Sequence, residues 1–183
     1  MTALPQIRMT VDEFLAWYDR NPGRYELKNG IVYTMSPEGA GHAEVKFAVQ
    51  TALAAGIRTS GLPCHMLPDG MTVRIDEATA YEPDALVYCG AKLPSRSVEV
   101  ANPVIVVEVL SPSTGHIDAT AKLADYFKVG SIAHYLIIDP EKTLIVHHAR
   151  GTGDVILARV VTAGSIVLDP PGIEITVKDI YGA

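Results

Sequence analysis

Residues 104–110 read VIVVEVL, an aliphatic, β-branched run closed by Ser111-Pro112. Apolar side chains at consecutive rather than alternate positions predict a strand covered on both faces, inside a sheet that lies between other layers. Glu108 interrupts the run. An ionised carboxylate left alone in an apolar interior costs several kcal/mol, so this position demands a cationic partner, a metal or a catalytic use. A salt bridge at the strand end is the plainest of these.

Working outward, Met71–Ile75 and Asp84–Tyr88 predict two further strands, each bounded by Pro, Gly, Asp or Ser. Downstream, Asp118–Val129 predicts a helix with Ala121, Leu123, Ala124 and Phe127 available for packing, ended by Gly130. Strands follow at His134–Asp139, Leu144–His148, Val155–Val161 and Ile166–Leu168. Toward the N-terminus, Thr10 with Glu13 has capping-box spacing ahead of a helix ending near Asp19. Asn29-Gly30 joins Arg24–Lys28 to Ile31–Met35 as a hairpin, and Val45, Val49, Leu53 and Ile57 repeat at helical spacing within His42–Ile57. The order predicts an α/β (α+β) fold in which helices flank a mixed sheet, as one domain of 183 residues.

Composition narrows the function classes. With 48% hydrophobic and 20% charged residues, the chain is too apolar for intrinsic disorder. No apolar run approaches the ~20 residues of a membrane helix, so no membrane association is expected. MTALPQIRMTVDEF has no cationic start, apolar core and cleavage site, so a cytoplasmic location is expected. Cys64 and Cys89 have no CxxC partner and are expected as reduced, buried thiols. A net charge of −6 does not advertise non-specific polyanion binding. Binding DNA would require a local cationic face, for which Arg58, Arg74, Lys92, Arg96, Lys122 and Lys128 are the candidates.

A second carboxylate, Asp84, opens the strand that precedes the one carrying Glu108. If the two strands pair antiparallel about the Leu93–Ser97 connection, Asp84 and Glu108 fall opposite or diagonal to each other. Such a pair needs a cation between its members or a proton on one of them. Mg²⁺ typically takes one or two protein carboxylates with waters and phosphate oxygens, which suits this arrangement. A register slip would separate the two side chains.

Four blocks carry a family resemblance: Glu82-Pro83-Asp84; PVIVVEVLSPST at 103–114; Asp118 and Lys122 ahead of Tyr126; and HYLIIDP at 134–140. From about Tyr25 to Pro140 the chain resembles the Uma-type endonucleases of the PD-(D/E)XK nuclease superfamily. The resemblance implies a restriction-endonuclease-like core and metal-dependent hydrolysis of nucleic acid, DNA foremost. Asp84 and Glu108 would be ligands of Mg²⁺ or Mn²⁺, with the carbonyl of Val109 as a further ligand. Leu110 stands where the superfamily has its lysine, and Lys122 is the replacement that the family suggests. Glu26 and His42 match positions near the site, Glu26 touching metal through water and His42 orienting a phosphate or water.

Plainer readings stand beside these. Lys122 could pair with Asp118 or Tyr126 on a helix face, Glu26 could be an exposed hairpin carboxylate, and His42 a polar residue at a helix start. Glu44, Gln50, His147 and His148 lack partners at metal-binding spacing and are read as structural. The rival function is a non-catalytic binding or assembly module that retains the nuclease fold. A homodimer would cover apolar surface left over by a small domain.

Overall fold

The computed structural model describes residues 2–3, 8–111 and 115–182. The N-terminal part builds a small five-stranded sheet. After β1 (Thr2–Ala3), helix α1 (Val11–Tyr18) starts on the expected capping box, with Thr10 Oγ1 accepting from the Glu13 N–H and Glu13 accepting from the Thr10 N–H. Strands β2 (Tyr25–Lys28) and β3 (Ile31–Thr34) form the expected hairpin. Its turn works because Asn29 and Gly30 both adopt positive φ, 51° and 77°, which suits a two-residue hairpin loop.

Helix α2 (Ala40–Ser60) buries Val45, Val49, Leu53 and Ile57, the stripe legible in the sequence. Strand β4 (Cys64–Pro68) follows it. The strand expected over Met71–Ile75 shrinks to β5 (Val73–Arg74), which pairs with β6 (Ala80–Tyr81) and joins the hairpin sheet. The cause is local: Ile75 and Asp76 both donate to the Thr79 carbonyl, which turns the chain.

The central sheet has six strands in the order β11-β10-β9-β8-β7-β4. Its members are β4, β7 (Ala85–Cys89), β8 (Pro103–Val109), β9 (His134–Asp139), β10 (Leu144–Arg150) and β11 (Ile156–Val161). Helix α3 (Gly115–Tyr126) makes the crossover from β8 to β9, which pair parallel; the other neighbours pair antiparallel, so the sheet is mixed. The chain ends in a two-stranded ribbon, β12 (Ser165–Leu168) with β13 (Ile173–Thr176), and helix α4 (Val177–Tyr181).

Alternation along β8 divides the interior. Ile105, Val107 and Val109 face α2, α4 and the C-terminal ribbon, while Val106 faces Tyr126, Phe127 and Tyr135 on the α3 side. Both faces are covered, as VIVVEVL predicted. Gly56 of α2 permits close packing on β13, since a Cβ there would stand 3.1 Å from the Glu174 carbonyl oxygen. Among the described residues no helix is long and apolar enough to cross a membrane.

One expectation is overturned. Cys64 and Cys89 are not reduced thiols but form a disulfide. The β4–β7 register sets them directly opposite each other, a pairing that only the sheet topology specifies. The bond closes a 25-residue separation, and loops of this order are worth roughly 2–4 kcal/mol to the folded state. Purified protein unfolded without reductant should therefore show no free thiol, and Cys64→Ser with Cys89→Ser should lower stability by that amount in urea.

Candidate active site at the ends of the central strands

Strand β7 pairs with β8 so that Ala85 faces Val107 and Leu86 faces Val106, the register read from the sequence. Asp84 thus arrives at the start of β7 where Glu108 and Val109 end β8. Its N–H donates to the Val107 carbonyl at 3.0 Å, and its Oδ2 accepts from the Val109 N–H at 2.8 Å. Gln50 of α2 donates to the Asp84 carbonyl at 2.8 Å. Burial pushes the Asp84 carboxyl above its usual range, against the Val109 N–H and the nearby His42 and Lys46.

Glu108 projects toward α3. Lys122 and Tyr126, one helical turn apart, both reach its Oε1, at 3.0 Å from Nζ and 2.6 Å from the phenol oxygen. Lys122 Nζ also lies 2.8 Å from Glu26 Oε1, which in turn accepts from the Glu82 N–H at 3.0 Å. Glu26 and Lys122 are buried, so neither is the exposed hairpin or helix-surface group of the plainer readings. Burial lowers the Lys122 pKa, but Glu108 and Glu26 more than offset it and hold the ammonium charged. The Glu108 carboxyl is pushed up to about 8, chiefly by burial, with Lys122 pulling the other way and Glu26 and Asp84 adding to the rise.

His42 meets the same strand ends from α2. Its Nε2 is 3.0 Å from the Val109 carbonyl oxygen and 3.7 Å from Asp84 Oδ2. Its Nδ1 is buried without a hydrogen-bond partner, 3.6 Å from Glu38 Oε2. Glu38, His42 and Asp84 offer ligand atoms within 4.8 Å of one another, the group among the described residues with metal-binding proximity. The side chain of Asp118 lies outside the described residues, as do residues 112–114 of the EVLSPST block.

A charged wall flanks this centre that the sequence reading did not anticipate. Lys46 bonds both oxygens of Glu38 at 2.6 Å and Asp69 at 3.0 Å, while Arg24 bridges Glu38, Asp69 and Glu82. Tyr18 donates to Glu82 at 3.2 Å. Lys46 stands one turn beyond His42 on α2, the single sequence signal that could have flagged it; the other contacts span tens of residues. With Met35, Ser36 and Pro37, Arg24, Glu38, Lys46 and Asp69 line a cavity of about 410 Å³. Of the cations expected to form a binding face, Arg74 is tied to Glu99 and Asp12, Lys128 to Asp125, and Lys122 is interior. His147 hydrogen-bonds His134 across β9 and β10 at 2.9 Å, and His148 stacks on Tyr135.

The sequence matches the Uma2 family, described as "putative restriction endonuclease", over residues 11–178. An uncharacterized protein from Synechocystis sp. is 24% identical over 179 residues, which are 97% of this chain and 93% of the relative. A crystal structure titled as a putative nuclease belonging to DUF820, from Anabaena variabilis, superposes with a TM-score of 0.75 at 14% identity. It covers 95% of this chain and 98% of its own, and carries the same fold.

Glu108 makes stability depend on pH with a definite sign. Its pKa is near 4.5 unfolded and about 8 folded, so the native state holds this proton more tightly. Its contribution is complete below about pH 4.5 and is lost as pH rises through about 8. In urea titrations across that window, Glu108→Gln should flatten the decline in stability seen in the unmodified protein.

Proposed function

We propose that this chain, which belongs to the Uma2 family of restriction-endonuclease-like proteins, is a divalent-cation-dependent nuclease that hydrolyses phosphodiester bonds of nucleic acid, DNA in the first instance. The observation that carries the reading is the β7–β8 register, which brings Asp84 and Glu108 to the same end of neighbouring strands, close enough to affect each other's charge, with Lys122 of α3 bonded to Glu108.

The donor set fits a hard divalent ion. Two carboxyl groups, Asp84 and Glu108, end neighbouring strands, and burial raises the pKa of both, so a bound divalent ion would offset the cost of ionising them there. Asp84 and Glu108 would hold the ion. The Val109 carbonyl, which His42 engages with one lone pair, keeps a second for coordination. A bound Mg²⁺ or Mn²⁺ supplies a water of lowered pKa and positive charge toward the phosphate oxygens.

The chain's own groups do the rest. The Lys122 ammonium orients the attacking water or stabilises charge building on phosphorus, roles suited to a compact cation. Glu26 holds Lys122 in place and keeps it protonated. His42 lies 3.7 Å from Asp84 Oδ2, within reach of a water or phosphate oxygen beside that carboxylate.

The second reading, a non-catalytic module with the nuclease fold, draws on the fact that Lys122 forms ion pairs with both Glu26 and Glu108. Two measurements separate the readings. With Mn²⁺ or Mg²⁺ on plasmid DNA and on RNA, Asp84→Ala or Glu108→Ala should reduce cleavage by about 10²-fold or more, and Lys122→Met by a similar factor. Full activity in either carboxylate variant would defeat the assignment. Saturating Mn²⁺ should raise the melting temperature of the unmodified protein and leave Asp84→Ala unmoved; a module without a metal centre responds in neither.

A further inference from the structure

Strand β11 ends the central sheet, with no neighbour on its outer side among the described residues. Five of its six residues are exposed, including Ile156, Leu157 at 59% and Val160 at 63%, and Val155 just ahead is 53% exposed. Natural sheets blunt such an edge with proline, lysine, bulges or a covering element. The opposite edge, β4, is flanked by Pro63 and ends in Pro68. No proline or lysine lies in 155–161, and the one charge, Arg159, donates back to the Ser165 carbonyl at 3.2 Å.

The direction of the free backbone groups follows from the ladder. The Gly151 N–H donates to the Val155 carbonyl at 2.8 Å, and the register continues as Arg150 with Ile156 to Ile145 with Val161. Hydrogen-bonded and non-hydrogen-bonded pairs alternate in an antiparallel ladder. Residues 155, 157, 159 and 161 therefore bond to β10, while the N–H and C=O groups of Ile156, Ala158 and Val160 point out from the sheet.

We infer that β11 pairs antiparallel with β11 of a second copy of this chain, about a two-fold axis at Ala158, making one continuous sheet through the dimer. An axis perpendicular to the sheet preserves its faces, so outward-pointing residues must meet outward-pointing residues. Centring on Ala158 places Ala158 opposite itself, and Ile156 opposite Val160 of the second copy on either side. Every outward N–H and C=O of the strand is then used. Leu157 meets Arg159 of the second copy, and no like charges face each other. Centring one residue later sets Arg159 against itself, which is repulsive. Centring one residue earlier leaves Val160 opposite Asp154, in the turn before the strand. One strand from each copy buries less than the about 1,200 Å² of a standard interface, so the dimer is reversible and concentration-dependent.

Sedimentation velocity of the full chain, from low micromolar to submillimolar concentration, tests this. The unmodified protein should pass from monomer to dimer. Ala158→Pro, which removes an outward N–H that β10 does not use, and Val160→Lys should each weaken the dimer at least about tenfold while circular dichroism stays native. Leu157→Glu, which sets a carboxylate opposite Arg159 of the second copy on both sides of the axis, should tighten it. A monomer at every concentration, a dimer indifferent to both Ala158→Pro and Val160→Lys, or a Leu157→Glu variant that dissociates like Val160→Lys would each overturn the pairing.

Discussion

Lys122 sits buried between two carboxylates, 2.8 Å from Glu26 and 3.0 Å from Glu108, and the geometry of the sheet end depends on it. The contact ties α3 and β8, which share one hydrophobic cluster, to the N-terminal hairpin, which packs in another. Removing one partner of such a buried arrangement commonly costs 3–5 kcal/mol, because the remaining charge is stranded. Replacing the whole set with apolar residues would often cost nothing or stabilise the fold. An expensive charged cluster at this place is therefore better explained by what it does than by what it holds together.

The sheet serves that cluster by register. Because β7 and β8 pair as they do, the two carboxylates come to the same end of neighbouring strands without any long loop to position them. The crossover helix then delivers Lys122 and Tyr126 over Glu108 on the face of the sheet that α3 covers. On the other face α2 brings His42 and Gln50 to Val109 and Asp84. A net charge of −6 is compatible with the proposed function, in which local cations and a bound ion would set the field that a phosphate meets.

Much of this was legible in the sequence where one strong local signal dominated. Continuous apolar character identified β8 as buried on both faces, Asn29-Gly30 identified the hairpin, and symmetry about the 93–97 connection anticipated the β7–β8 register. The fold class and the family followed from the same blocks. Strand β4 escaped because CHMLP is short and framed by prolines, and with it went the Cys64–Cys89 pairing. The wall of Arg24, Glu38, Lys46, Asp69 and Glu82 escaped for another reason. Its members are ordinary surface residue types, and only the tertiary fold makes them neighbours.

The most direct measurement is a crystal soaked in Mn²⁺ with anomalous diffraction data. The account predicts an anomalous peak coordinated by Asp84 and Glu108 together, with the Lys122 ammonium beside it. A peak bound by Glu38, His42 and Asp84 with Glu108 still closed on Lys122 and Tyr126, or no peak at these residues at saturating Mn²⁺, would contradict it.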